Sequence, residues 1–169
     1  MPPDDDLSGV LGALDRHGVR YVLIGGLASI YWGSPFPTED IDVTPEQSVE
    51  NLDRLSAALT ELGARVRTAT DPDGVPFAHT GASLADAQVW NLTTTRGDLD
   101  ISLVPSGTFG YADLARDAAD GEIHGIRVRV ASLADIIRSK QAANRPKDQR
   151  VLPTLREILA SRNPRNRED

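Results

Sequence analysis

Asp40 and Asp42 lie one residue apart in the stretch TEDIDV, alternating with Ile41 and Val43. That alternation predicts a strand over 40–44, with both carboxylates on one face and both apolar side chains on the other. At a rise of about 3.3 Å per residue the two Cβ atoms stand roughly 6.5–7 Å apart, a span that two carboxylates can close around a divalent cation. An isolated D-x-D marks a solvated strand end more often than a site, so other residues must decide. Gly25 and Gly26 follow the apolar run YVLI and open a helix predicted over 27–32. Backbone amides at such a turn suit phosphate, and glycine permits its close approach. Asp100, in GDLDISLV, alternates with Leu99, Ile101 and Leu103 on another predicted strand. It would complete an oxygen-rich set suited to Mg²⁺. Asp98 shares that face and is its rival, nearer the turn at Gly97.

The elements that must hold these residues are readable from periodicity and punctuation. Residues 1–6 read as a loose tail. Apolar spacing predicts helices over 7–17, 48–62, 111–119 and 132–143, and a last helix over 147–161 with a bend at Pro153. Ser132 followed by Asp135 is a capping signal, and Gly63 a helix end. Strands are expected over 65–68, 88–94 and 99–104, with a hairpin arm or edge strand over 123–130. Residues 70–86, rich in Pro, Gly and Asp, read as a loop with little order of its own. The tail from Asn163 is polar. The pattern is that of an α+β (α/β-like) domain with one mixed sheet. Its expected division is a core over 1–130 and a C-terminal helical extension over 131–169, packed together as one compact domain.

Composition narrows the chemistry. The 169 residues contain 40% hydrophobic residues, enough for a real core. No cysteine is present, which excludes disulfides and thiolate metal sites, and the three histidines match no zinc spacing. The net charge of −7 argues against coating nucleic acid by charge alone. No apolar run reaches bilayer length, and the acidic start lacks the features of a signal peptide, so a cytoplasmic protein is expected.

GGLASIYWG, TEDIDV and GDLDIS occur in the order and approximate spacing of the nucleotidyltransferase fold of the DNA polymerase β superfamily. The chain resembles its small bacterial members, related to AbiE-type toxins and to antibiotic nucleotidyltransferases. The stretch ASLADIIRSKQAANRPKDQRVLPTL resembles the C-terminal helical stretch of the toxin-related group, and the resemblance spans about residues 20–160. It implies transfer of a nucleoside monophosphate from an NTP to a hydroxyl acceptor, with release of pyrophosphate. The acceptor would be a tRNA end, a protein or a small molecule. The resemblance implies Mg²⁺ or Mn²⁺ bound by Asp40, Asp42 and Asp100, with Asp100 taking the acceptor proton. Gly25, Gly26 and Ser29 would touch the triphosphate, with Lys140, Arg145 and Lys147 as its positive neighbours. Asp148 is read as a structural partner for Lys140 or Arg145, and Trp32 and Trp90 as packing residues. A cognate antitoxin is a further expected partner. Relatives often carry an arginine shortly before D-x-D, where this chain has Phe36 in SPFPTED. That departure keeps open an alternative: a catalytically degenerate member that binds a nucleotide or a partner protein.

Overall fold

The structure, a computed structural model, describes residues 4–162. Its elements are α1 (Asp4–Arg16), β1 (Tyr21–Ile24), α2 (Gly25–Tyr31), β2 (Asp40–Pro45), α3 (Val49–Glu61), β3 (Arg65–Val66), α4 (Gly81–Leu84), β4 (Val89–Thr94), β5 (Gly97–Ser102), α5 (Tyr111–Asp117), β6 (Ala119–Ile123), β7 (Ile126–Val130), α6 (Leu133–Ala143) and α7 (Pro146–Arg162). The seven strands form one mixed sheet in the order β3-β4-β5-β2-β1-β7-β6. β2 and β5 run parallel, as do β1 and β7, and the remaining neighbours are antiparallel. This is the α+β fold with a mixed sheet that the sequence predicts.

The alternation in β2 and β5 has the expected consequence. Ile41, Val43, Leu99 and Ile101 are buried in a core with Leu11 and Leu14 of α1 and with Leu52, Leu55 and Leu59 of α3. Ser48 caps α3 by accepting from the amide of Asn51, and Ser132 caps α6 by accepting from that of Asp135. Each such cap contributes about 1 kcal/mol. No described helix is long and apolar enough to cross a membrane.

Four local expectations are corrected. Residues 4–6 belong to the first turn of α1 rather than to a tail. The segment 70–86 is better ordered than its composition implies. Val75 bridges to Val66, and Thr80 and Ser83 form a reciprocal capping box that starts α4. The strand expected over 65–68 is two residues long, with Val66 lying between Leu92 of β4 and the bridge to Val75. The arm expected over 123–130 is a full hairpin, β6–β7, turning through His124 and Gly125 at positive φ. The expected tail from Asn163 lies outside the described residues.

Candidate active site

Strand register gathers the chemistry. Asp42 pairs with Ile24 on β1 and with Asp100 on β5, and Asp100 pairs in turn with Asn91 on β4. Asp40 pairs with Asp98. Residues opposite one another, or two apart on a strand, share a face. All four aspartates therefore stand on the sheet face opposite Ile41 and Val43. A cleft of about 780 Å³ opens over Asp40, Asp42 and Asp100. Its lining includes Asp40, Asp42 and Asp100 on the floor, Gly25, Gly26 and Ser29 along one side, and Lys140, Arg145 and Lys147 from the C-terminal helices, whereas the rival Asp98 is not part of it.

The glycine pair is there for space. Gly25 has φ +71°, and a Cβ placed on it would lie 2.3 Å from Oδ2 of Asp42. A Cβ on Gly26 would lie 2.7 Å from Oγ1 of Thr38. The β1–α2 turn is thus pressed directly onto the D-x-D strand. Ser29 is buried, and its hydroxyl donates to the carbonyl of Gly25 at 2.9 Å, so it braces the turn from behind. Gly25→Ala is expected to cost about 2 kcal/mol or more, from left-handed strain and the clash together. Chemical denaturation of that variant checks the figure, and an unchanged midpoint would contradict the packing described.

Burial pushes Asp42 up to about 7, and the negative neighbours Asp100 and Asp40 add to the rise, against the pull of Lys147 and Lys140. Burial raises Asp100 as well, and Arg67 draws it back only in part. Lys140 is lowered by burial, and the charge of Asp148 opposes that shift. Carboxylates crowded and desolvated in this way favour a positive ligand.

Asp148 is fully buried. It accepts from the backbone amide of Arg145 at 3.1 Å and from its Nε at 2.7 Å, and stands 3.6 Å from Nζ of Lys140. Although burial opposes it, bonding to Arg145 holds the Asp148 carboxyl below its ordinary value. Both partners expected for Asp148 are therefore found at once. Arg145 is tied down by it through Nε and a second guanidinium nitrogen. Asp148→Asn is expected to destabilise the fold by about 2–3 kcal/mol, since it leaves two cations without their buried counter-charge. Thermal unfolding measures this, and a neutral effect would refute it.

Arg67 is the residue that sequence reasoning missed. Its guanidinium donates to Oδ1 of Asp100 at 2.6 Å and lies 3.3 Å from Oδ2 of Asp98. It also donates to the backbone carbonyl of Leu92, and its own amide bonds the carbonyl of Asn91. No local motif announces it, because it reaches Asp100 only once β4 pairs with β5. Trp32 and Trp90 are packing residues as expected. Their indole N–H groups donate to the carbonyls of Ala131 and Leu84.

A metal fits this donor set in one particular manner. Among the described residues no three acidic or histidine side chains form a ready ion cage. Mg²⁺ ordinarily keeps one or two carboxylates and completes its shell with water and substrate phosphates. Hard carboxylate oxygens, crowded on the floor of an open cleft, suit that shared coordination.

Residues 6–150 match the aminoglycoside-2''-adenylyltransferase family. The chain belongs to that family. Its general chemistry is accordingly nucleotidyl transfer, and the nucleotidyltransferase resemblance read from GGLASIYWG, TEDIDV and GDLDIS holds. Solved structures share the fold. The lincosamide antibiotic adenylyltransferase LnuA, lincomycin-bound, superposes with a TM-score of 0.62 at 14% identity, over 93% of this chain and 98% of LnuA. The antibiotic-resistance factor ANT(2'')-Ia in solution gives 0.57 at 18% identity, over 95% of this chain and 84% of that one. Its crystal structure with adenylyl-2''-tobramycin gives 0.56 at 19% identity, over 95% and 89%. No curated protein matches the chain.

Proposed function

We propose that this member of the family moves a nucleoside monophosphate from an NTP to the hydroxyl of a small acceptor, in a metal-dependent reaction carried by Asp40, Asp42 and Asp100. The observation that supports it most is the row Ile24–Asp42–Asp100–Asn91. It puts the glycine turn at one end, two carboxylates in the middle and an open polar strand at the other.

Phosphoryl chemistry needs positioning and charge neutralisation more than covalent help. The triphosphate lies on the amides of Gly25 and Gly26, where a side chain would block it. Lys140 and Lys147 face its charge from the C-terminal helices, and Asp148 keeps Lys140 and Arg145 in place. Asp40 and Asp42 would hold Mg²⁺ or Mn²⁺ together with the nucleotide, with Asp100 on the acceptor side. When bound, the ion neutralises phosphate charge and polarises the reacting oxygens. The acceptor hydroxyl oxygen bonds to the α-phosphorus as the bond to the bridging oxygen breaks, and pyrophosphate leaves. The hydroxyl proton passes to Asp100, whose raised pKa makes it a better base than an exposed carboxylate. In this reading residues 1–130 carry the carboxylates, residues 131–169 supply the cations, and the two act as one unit.

The test is incubation with each α-labelled NTP, Mg²⁺ or Mn²⁺, and hydroxyl acceptors that include small molecules, total tRNA and the protein itself. Metal-dependent labelling with stoichiometric pyrophosphate is expected on a small molecule. Nucleotide binding with no labelling across the panel would favour the degenerate alternative that Phe36 in SPFPTED keeps open. Toxin–antitoxin pairing is not needed for this reading.

A further inference from the structure

Between α2 and the D-x-D strand runs a short strap, Ser34-Pro35-Phe36-Pro37-Thr38, and both of its ends are pinned. Ser34 is buried, and its amide donates to the carbonyl of Ser29 at 3.0 Å. Ser29 in turn donates to the carbonyl of Gly25, so the strap begins on the turn where the triphosphate lies in the reading above. At the other end Thr38 lies against Gly26, with Oγ1 2.7 Å from where a Cβ would stand, and its hydroxyl donates to the carbonyl of Asp40. Phe36 stands midway. Its amide donates to Oγ of Ser34 at 3.3 Å. Two residues of chain keep its Cα within about 7 Å of that of Thr38.

Nothing in the fold requires an aromatic there. Phe36 belongs neither to the core nor to the layer of partly buried residues packed on it, and it stays 38% exposed. It nevertheless lines the cleft, the one aromatic among the described residues that do. Trp32 and Trp90 are committed elsewhere, through indole N–H groups that donate to the carbonyls of Ala131 and Leu84. The prolines on either side make Phe36 a rigid fixture. Pro35 and Pro37 have φ fixed at about −65°, and Pro37 holds the residue before it in the extended region. Little entropy is then lost when a ligand settles on the ring. A nucleobase stacks on such a ring whatever its identity, because every base has a π-face.

We propose that Phe36 is the platform on which the base of the bound nucleotide stacks. The proposal rests on the transfer reading above and gives its NTP a second point of attachment. The phosphates lie on Gly25 and Gly26, the base lies on Phe36, and the strap fixes the distance between them. Because the contact is made by a π-face and not by hydrogen bonds, it favours a purine triphosphate over inorganic tripolyphosphate and discriminates weakly between adenine and guanine.

Calorimetric titration with two probes in the presence of Mg²⁺, a non-hydrolysable ATP analogue and inorganic tripolyphosphate, separates base from phosphates. Phe36→Ala is expected to weaken binding of the analogue about tenfold, or 1.4 kcal/mol, and to leave that of tripolyphosphate unchanged. Phe36→Leu, which keeps an apolar side chain without a π-face, should lose most of the same affinity. Phe36→Trp should keep the analogue bound and show indole fluorescence quenched by it, beyond the response of the wild type, but not by tripolyphosphate. Equal weakening of both probes would mean that Phe36 only braces the turn, and an unchanged analogue in Phe36→Ala that the base lies elsewhere. Either result overturns the proposal. Should the smaller side chains lower the melting temperature, the quenching in Phe36→Trp decides by itself, and its absence is equally fatal. Tripolyphosphate binding to the wild type separates the two levels. Its failure together with that of the analogue refutes the transfer reading, whereas its success beside an analogue insensitive to Phe36 refutes only this proposal.

Discussion

Asp40→Ala is expected to lower nucleotidyl transfer by about 10²–10³-fold or more and to abolish metal-dependent NTP binding with it. The size follows from removing one preorganised charge-stabilising group from a desolvated reaction centre. Asp100→Ala should lose transfer to a similar degree, by loss of the base and of acceptor-side coordination, yet retain much of its NTP affinity. The difference comes from the register. Asp42 and Asp40 lie on β2, against the strand that leads into the glycine turn, and Asp100 lies one strand further away. Transfer kinetics beside NTP titrations resolve the two effects. Equal loss of NTP affinity in both variants would contradict the division of roles.

Asp42→Asn is expected to stabilise the ligand-free protein at pH 8 while it removes function. The sign follows from linkage. A carboxyl near pKa 4 in the unfolded chain and about 7 in the folded one keeps its proton on folding between those values. The folded state then binds more protons than the unfolded, and stability falls as pH rises through that window. Fully developed above pH 7, the penalty is about 4 kcal/mol, from 1.36 kcal/mol for each pH unit of the rise. Asn cannot ionise and escapes it. In a chain of this size the gain corresponds to about 8–16 °C in melting temperature at pH 8, and it should vanish near pH 4. Melting curves of both proteins across pH 4–8 check this. A variant no more stable than wild type at pH 8 would show that Asp42 is not held in the crowded, desolvated state described.

These two expectations rest on features that the sequence exposes to different degrees. Asp40, Asp42 and Asp100 could be put on one face from alternation alone, because a strand's period of two is rigid and Ile41, Val43, Leu99 and Ile101 had only the core to go to. Gly25 and Gly26 were legible as a turn, but the reason for both glycines was not. It lies in Asp42 and Thr38, contacts made across 17 and 12 positions of sequence. Helix starts at Ser48 and Ser132 are local chemistry and were visible. The Thr80–Ser83 box is equally local, yet it was hidden inside a segment whose Pro, Gly and Asp content reads as loop. Arg67 is the opposite case. Nothing near it in sequence distinguishes it from other surface arginines, and its meeting with Asp98 and Asp100 depends on β3–β4–β5 pairing. Local signals found Gly25, Gly26 and the three aspartates, and only tertiary structure shows Arg67 beside them.

The central claim is that Asp42 and its neighbours bind a divalent ion jointly with a nucleotide in this cleft. Mn²⁺ binding, followed by electron paramagnetic resonance with and without a non-hydrolysable ATP analogue, tests it most directly. In the wild-type protein the account predicts weak Mn²⁺ binding alone and at least tenfold tighter binding with the analogue, because the carboxylates need the phosphates to complete the coordination shell. In Asp42→Asn, folded and more stable at pH 8, the nucleotide-dependent gain should disappear. The same gain in both proteins would contradict the account and place the ion, and with it the reaction, somewhere other than the aspartate floor.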